Sequence, residues 1–307
     1  MSATVTPDVR AQHLEPSGNQ YNILYPVDFS RRSILAIEHV KYWVEHFRAA
    51  LDTLHVVNSN AYRSLSSLSN PSLYQEQSRI VARRTDDLKQ FSDQYFGKDI
   101  ARSFVLYGDR ADLIEHFAER EQIDLIMLPH NHQGLIARIF YDSLTAKLLE
   151  RCRASVWMTE HLEDATPSAP SVPSKVLCAV QFGHNVTTDA QSHRILETVQ
   201  QVISSFQADV KFLDVSSNKT ASEHSTELRI KAGSMLWLEQ ARRLFGSSVK
   251  LLRASGSVIA AIGDTASNIG ADLVVVGRMN PNELSLGQQS RILNIDQTLQ
   301  SPVLSVW

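Results

Sequence analysis

The amino-acid sequence predicts an α/β protein built on parallel sheets. Short apolar runs rich in strand-forming residues alternate with amphipathic segments of helical period, and the alternation recurs in the same order in the second half of the chain. A length of 307 residues is comfortable for two compact domains. Strands separated by helices are joined by right-handed crossovers, so each domain is expected to contain a parallel sheet.

Five strands are expected in the first half of the chain. They are YNILYPVDF, LDTLHVVN, ARSFVLYG, DLIML and ASVWMTE. Ser30 is a predicted helix N-cap, and the helix after it carries an apolar face at three- and four-residue spacing: Ile34, Leu35, Ile37, Val40, Trp43, Val44 and Phe47. Further helices are predicted over 74–96, after Gly108, and through Leu144, Leu148 and Leu149.

The second half repeats this pattern. The first strand has its counterpart in SKVLCAVQFG, the second in ADVKFLDVS and the last in SPVLSVW. Asp124 and Asp272 occupy the same place in the two copies, 148 positions apart. Between the copies, EHLEDATPSAPSVPSK has the proline-rich composition of a linker. We expect a flexible tail over 1–20, a first domain over 21–160, a linker over 161–173 and a second domain over 174–307.

The composition argues against several classes of function. The chain has 30 basic and 33 acidic residues, a formal net charge of -3, and so lacks the basic excess of a nucleic-acid-binding protein. Cys152 and Cys178 are too few for a disulfide framework. No segment has the pattern of a signal peptide or reaches the roughly 18 apolar residues of a membrane span. We therefore expect a cytoplasmic chain with neither a nucleic-acid nor a membrane partner.

Several segments resemble the universal stress proteins in their tandem two-domain form. The resemblance rests on ILYPVDFS before an amphipathic helix, on LHVV closing the second strand, on YGDRADLIEHFAEREQIDLIML and on DSLTAKLLERCRASVWMTE. It implies two doubly wound, Rossmann-like domains related by a pseudo-twofold axis, each with five parallel strands in the order 3-2-1-4-5. It also implies that the last strands of the two domains pair within the chain, which leaves a homodimer as a further level of association.

Nucleotide-binding members of this family carry a loop G-x2-G-x9-G-[ST] after the fourth strand. Its glycines let the backbone approach phosphate, and its hydroxyl and the following helix N–H groups bind the charge. In this chain the positions fall on Pro129, His132, Asp142 and Ser143, so only the last is kept. Proline removes a donor, and a carboxylate repels phosphate by about a few kcal/mol. We expect the loop to be filled by its own side chains, although Mg²⁺ bridging Asp142 and phosphate would permit ATP or AMP to bind.

In the first copy, the positions at which family members bind adenine and ribose are better retained than the phosphate loop. Family members hold the base and ribose at the ends of the first two strands, and the residues that match are Pro26, Val27, Asp28, Phe29 and Val57. Asp28 has two interpretations that stay open, a ligand-binding carboxylate and a turn or helix-capping residue.

The second copy departs from the family pattern in another way. Gln181 stands at the position of Asp28. Gly277 and Ser290 are kept from the loop pattern, whereas Asn280 and Gln289 replace its other glycines. This copy is therefore expected to be the weaker nucleotide site and more of a structural partner.

A metal site and an enzyme active site are weaker hypotheses. His130, His132 and Asp142 include metal-binding residue types, but an H-x-H pair is common without metal. Asp28, Asp142 and Ser143 share one predicted cleft, yet no P-loop or G-x-S-x-G elbow occurs in the sequence. His55 lies within a strand and is predicted to be a hydrogen-bonded structural residue.

The sequence thus predicts a non-catalytic stress-response regulatory or interaction module with an unidentified protein partner and no resident cofactor or metal. An adenine-nucleotide sensor that uses the first copy is the alternative. A weak nucleotide hydrolase is the third hypothesis.

Overall fold

The computed structural model describes residues 20–58, 71–129, 144–158, 172–180, 196–203, 208–216, 238–246, 249–278 and 301–306. The strands are β1 (Asn22–Pro26), β2 (Ala50–Asn58), β3 (Ala101–Gly108), β4 (Leu125–Leu128), β5 (Ser155–Met158), β6 (Lys175–Val180), β7 (Asp209–Ser216), β8 (Lys250–Ser255), β9 (Leu273–Gly277) and β10 (Val303–Val306). The helices are α1 (Arg31–Leu35), α2 (Ile37–Phe47), α3 (Pro71–Tyr95), α4 (Arg110–Arg120), α5 (144–151), α6 (196–203), α7 (238–245) and α8 (Val258–Ile269).

The first predicted helix is divided in two. Ser30 is the N-cap of α1, as predicted, and its side chain accepts a hydrogen bond from the Ser33 N–H at 3.3 Å. Ala36 ends α1 and begins α2. Ile34 is 41% exposed, so the prediction that it packs inward was wrong, because it lies one helical turn before the half-exposed Glu38. Leu35 and Val40 are buried.

The described strands form a single sheet. Their order is β3-β2-β1-β4-β5-β10-β9-β6-β7-β8. Every neighbouring pair is parallel except β5 and β10, which are antiparallel. The predicted α/β class with parallel strands is therefore confirmed. Because β1 lies between β2 and β4, the order of connection reverses there, and a crevice opens at the carboxyl ends of β1 and β4.

The antiparallel pair joins the two halves of the chain. Trp157 of β5 lies opposite Leu304 of β10, and Val156 lies opposite Ser305. These are the last strands of the two halves, whose pairing the sequence analysis expected. Trp157 is buried and packs on Trp43 of α2, with 4.6 Å between the ring centroids. Each half thereby covers a strand edge that would otherwise be exposed to other chains.

The apolar core lies on both faces of this sheet. Successive strand residues point to opposite faces, so Ile23 and Tyr25 join one cluster while Leu24 joins the other. Both clusters contain residues from β1 and from β6, and so each runs through the two halves of the chain.

Asp124 and Asp272 hold the amino ends of the sheet. The Asp124 carboxylate accepts a hydrogen bond from the Asn22 N–H at 2.8 Å, at the start of β1. The Asp272 carboxylate accepts one from the Lys175 N–H at 2.9 Å, at the start of β6, and two more from Ser174. The two aspartates thus perform the same task, as their equivalent positions in the sequence suggested.

Candidate ligand cleft

A cleft lies at the carboxyl ends of β1, β2 and β4, where an open parallel sheet offers space to a ligand. Its walls come from β1 and the turn after it, from β2, from β4, from α4 and from α5: Pro26, Val27, Asp28, Leu54, His55, Val56, Arg110, Ile114, Leu128, Pro129, Leu144 and Thr145. The cavity volume is about 40 Å³. A cavity measured in this way holds one water at about 10–15 Å³, and pockets for drug-sized ligands span about 300–1,000 Å³.

The carboxylate of Asp28 is engaged in the turn between β1 and α1. Its Oδ1 accepts hydrogen bonds from the Ser30 N–H at 2.9 Å and from the Ser33 hydroxyl at 2.6 Å. Ser33 is buried, and its carbonyl accepts a hydrogen bond from the Tyr25 hydroxyl at 2.5 Å. Of the two interpretations of Asp28, the one that places it in the turn before the helix therefore has contacts in the structure.

Phe29 adopts an unusual backbone conformation beside this turn. Its φ is 61°, in the left-handed region that non-glycine residues seldom occupy. The ring packs on His55, with centroids 4.7 Å apart, and on Phe91 of α3, with centroids 5.9 Å apart. The guanidinium of Arg84 lies 5.6 Å from the same ring centroid, within reach of a cation–π interaction. These contacts fix the strained turn at the edge of the cleft.

His55 lines the cleft. Its Nδ1 lies 2.7 Å from the carbonyl oxygen of Val27, which confirms the prediction of a hydrogen-bonded histidine within a strand. Burial lowers the pKa of His55, although the hydrogen bond to Val27 opposes this effect. The positive charges of Arg84 and Arg110 lower it further. A neutral imidazole at physiological pH follows from this arrangement.

The structure brings together part of the predicted site. Pro26, Val27 and Asp28 line the cavity, and Pro129 lies at its edge. Phe29 and Val57 are close in sequence but do not line it, because the wall of β2 is made by Leu54, His55 and Val56. Ser143 lies outside the described residues, as do His130, His132 and Asp142, and so does the predicted filling of the 129–142 loop.

Arg110 and Thr145 are wall residues that were not predicted from the sequence. Arg110 is the first residue of α4, directly after the N-cap Asp109, whose side chain accepts hydrogen bonds from the Ala111 and Asp112 N–H groups. Thr145 of α5 is buried. One signal was available in the sequence: helices that follow β3 and β4 begin at the same sheet edge as the ends of β1 and β2.

Of the site residues predicted in the second half, Gly277 lies at the end of β9. The other predicted positions lie outside the described residues: Gln181, Asn280, Gln289 and Ser290. Within the described part of the chain, no group of three or more His, Cys, Asp or Glu residues is arranged to hold a metal ion. No helix in that part is long and apolar enough to cross a membrane.

The comparison with known proteins identifies the first half. Residues 21–160 match the model of the Universal stress protein family. They form a universal stress protein domain. The cleft thus belongs to a domain of this family, at the end of the sheet that its strand order defines. No curated protein sequence matches the chain.

Solved structures extend the similarity to most of the chain. A universal stress protein from Archaeoglobus fulgidus DSM 4304 has a TM-score of 0.61 at 19% identity, covering 94% of this chain and 98% of that one. A protein of unknown function from Pseudomonas aeruginosa PAO1 has a TM-score of 0.60 at 14% identity, covering 94% and 92% of the two chains. At these identities the likeness shows a shared fold.

Proposed function

We propose that the chain is a non-catalytic regulatory or interaction module made of two universal stress protein domains. The second domain would span 174–307 and be related to the first by a pseudo-twofold axis. In support, β10-β9-β6-β7-β8 mirrors β3-β2-β1-β4-β5 about the β5–β10 pair. The equivalent roles of Asp124 and Asp272 at the amino ends of β1 and β6 support the same relation.

The observation that carries the non-catalytic proposal is the engagement of Asp28. This carboxylate is the polar group that a nucleotide-binding relative would present at the end of the first strand, and here it accepts hydrogen bonds from Ser30 and Ser33 in the turn before α1. The cavity beside it, about 40 Å³, is far smaller than a nucleotide requires. The surfaces of the module, rather than a reaction centre, would then perform its function, with a protein as the partner.

An adenine-nucleotide sensor is the second candidate, and the position of the cavity favours it. The apolar side chains of Val27, Val56 and Ile114 line a slot at the switch point of the sheet, with Asp28 and Arg110 as polar groups on its wall. Such a slot suits a flat purine ring. ATP or AMP, alone or with Mg²⁺, would be the ligand, and the cavity would have to widen on binding.

Calorimetric titration of the full chain with ATP, ADP and AMP, each with and without Mg²⁺, separates the two candidates. The non-catalytic module predicts no binding tighter than about 1 mM. The sensor predicts sub-millimolar binding that Asp28→Ala abolishes. Such binding would overturn the proposal of a module that works through its surfaces alone.

Two variants separate a role in binding from a role in the turn. Asp28→Ala is expected to lower the free energy of unfolding by about 1 kcal/mol in urea titrations, because the Ser30 N–H and the Ser33 hydroxyl lose their acceptor. Ser33→Ala removes one hydrogen-bond partner of Asp28 but leaves its carboxylate in place. If nucleotide binding is lost in both variants alike, the turn matters for binding rather than the carboxylate; loss in Asp28→Ala alone identifies a ligand contact.

A further inference from the structure

Arg278 of the second half reaches into the first half of the chain. It is 2% exposed and follows Gly277 at the end of β9. Its Nη1 donates to the Cys152 carbonyl at 2.8 Å and to the Leu148 and Leu149 carbonyls at 3.4 Å. Its Nη2 donates to the carbonyl of Ala154. The guanidinium therefore holds the end of α5 and the turn that leads into β5.

The chemistry of this contact is specific for arginine. The last carbonyl groups of a helix have no partner inside the helix and carry partial negative charge, which a cation stabilises. A planar guanidinium presents five N–H donors in a fixed fork and so satisfies several carbonyls at once. Burial lowers the pKa of Arg278 to about 10, which still leaves the side chain protonated at neutral pH. The charge and the donors thus remain available inside the protein.

Helix α5 connects this contact to the cleft. Leu144 and Thr145, at its amino end, line the cavity, while Leu148 and Leu149 lie one turn later and accept hydrogen bonds from Arg278. Both contacts lie on the described stretch of helix over 144–151, in which successive residues rise by about 1.5 Å. A displacement of the cleft wall at Thr145 would therefore change the positions of the carbonyl groups that bind Arg278.

Arg278 is also fixed in the second half. Its backbone N–H donates to the Val306 carbonyl at 2.6 Å, and Gly277 pairs with Val306 in the register of β9 and β10. We propose that Arg278 is an interdomain latch, which couples the position of α5, and with it one wall of the first cleft, to β9 and β10 of the second half. The coupling goes beyond the proposed function and requires no particular ligand. It gives the two halves a means of sensing each other.

The two cysteines of the chain provide the measurement. Cys152 lies at the latch, whereas Cys178 is fully buried in β6 of the second half. Iodoacetamide alkylation of the full native chain, followed by peptide mass spectrometry, gives one rate for each thiol. In Arg278→Met we expect the ratio of the Cys152 rate to the Cys178 rate to rise about tenfold to hundredfold. The reason is that local opening around Cys152 costs less free energy once the hydrogen bonds of Arg278 are absent. In Arg278→Lys, whose ammonium cannot reach all four carbonyls, we expect a smaller rise.

The sign of this change separates opening from simple electrostatics. Burial raises the pKa of the Cys152 thiol, and the charge of Arg278 opposes that effect. Removal of the charge alone would make the thiolate rarer and the reaction slower. A faster reaction therefore reports an opened α5 rather than a more acidic thiol. General destabilisation would accelerate Cys152 and Cys178 together and leave their ratio unchanged.

Hydrogen exchange tests whether the effect extends along the helix. In Arg278→Met and Arg278→Lys the peptide over 144–151 is expected to exchange faster, while α4, on another wall of the cleft, keeps its rate. Arg153→Met, which removes an exposed arginine next to Cys152, is the matched control and should change neither measurement.

Three results would overturn the proposal. They are an unchanged ratio of cysteine rates in both Arg278 variants, an equal change in Arg153→Met, and exchange of 144–151 that stays as in the wild type. Should Arg278→Met fail to fold, Arg278→Lys supplies the same measurements.

Discussion

The two halves of the sheet have the same contacts at the amino ends of their central strands. They differ in the side-chain contacts between their second and third strands. Asp124 ties the start of β4 to the start of β1, and Asp272 ties the start of β9 to the start of β6. Each aspartate also donates its backbone N–H back to the strand it holds, to Asn22 at 2.9 Å and to Lys175 at 3.0 Å. This repeated arrangement fixes the register of the central strands in both halves.

In the first half, the contact between the second and third strands, β2 and β3, is polar. Asp52 of β2 is buried, and both of its carboxylate oxygens accept hydrogen bonds from Arg102 of β3, at 2.7 and 2.6 Å. Thr53, Ser92 and Ser103 form a triangle of hydroxyl groups 2.9–3.0 Å apart. These side chains satisfy one another inside the core.

At the equivalent positions of the second half the chemistry is different. Lys211 lies opposite Lys250 where the first half has its ion pair, and Phe212 lies opposite Leu251 where the first half has hydroxyls. Phe212 is fully buried and packs on Phe245, with 5.8 Å between the ring centroids. One backbone arrangement therefore tolerates two kinds of core, provided that each kind is complete in itself.

The largest expected effect comes from moving a residue of the first half into the second. Phe212→Thr, which copies Thr53, should lower the free energy of unfolding by about 4 kcal/mol, because it leaves a cavity and a hydroxyl without the serine partners of the first half. Urea unfolding monitored by circular dichroism gives the change.

Phe212→Leu is the control for this exchange, since it keeps an apolar side chain and should cost about 1 kcal/mol. An equal loss in Phe212→Thr and Phe212→Leu would mean that the polarity of the site is unimportant, and the contrast between the two halves would not hold.

Asp124 and Asp272, at the amino ends of the strands, are expected to contribute unequally to the free energy of unfolding. Asp272→Ala should lower the free energy of unfolding by about 2 kcal/mol, because three hydrogen bonds to this carboxylate are lost. Asp124→Ala should cost about 1 kcal/mol, since the pKa of Asp124 is raised by burial, which offsets part of the gain from the Asn22 N–H. Urea titrations of both variants measure the two losses.

Asp264→Ala, on the exposed side of α8, serves as the control for loss of a carboxylate and should lie within about 0.5 kcal/mol of the wild type. If Asp124→Ala and Asp272→Ala resembled this control, the shared role of the two aspartates would be refuted.

The smallest expected effect is a dependence on pH of opposite sign in the two halves. His55 and Asp214 occupy equivalent positions on β2 and β7. Burial lowers the pKa of His55 from 6.5, so the unfolded chain takes up the proton first and stability is lost as pH falls below about 6.5. Burial raises the pKa of Asp214 from 3.8, so the folded chain takes up the proton first and stability falls as pH rises from about 3.8 through the folded pKa.

Unfolding titrations at several pH values measure this difference. Between pH 7 and 5.5, His55→Gln should remove up to about 1 kcal/mol of the wild-type loss of stability. Asp214→Asn should remove a contribution of the opposite sign, at pH values above about 3.8. His116→Gln, on the exposed side of α4, is the histidine control. A curve for His55→Gln that parallels the wild type would contradict the prediction.

Sequence reasoning succeeded where the cause of a structure is local. The predicted strand ARSFVLYG is β3 without a change of boundary, and Ser30 caps α1 as its position before an apolar face indicated. It failed at Ile34, which lies one helical turn before Glu38 and so on the outer face of the helices. In the cleft it found Pro26, Val27 and Asp28 but missed Arg110, which only the packing of α4 brings to the same edge.

The sequence by itself determined the alternation of strands and helices and the equivalence of Asp124 and Asp272, because periodicity and repeats are written along the chain. The tertiary structure alone decided that the Val27 carbonyl is the partner of His55 and that Arg278 holds the end of α5. The acceptors of Arg278 are backbone carbonyls more than 120 residues away in sequence, and a carbonyl group is the same in every residue. Such a contact leaves no pattern in the sequence, because only the folded sheet brings its two sides together.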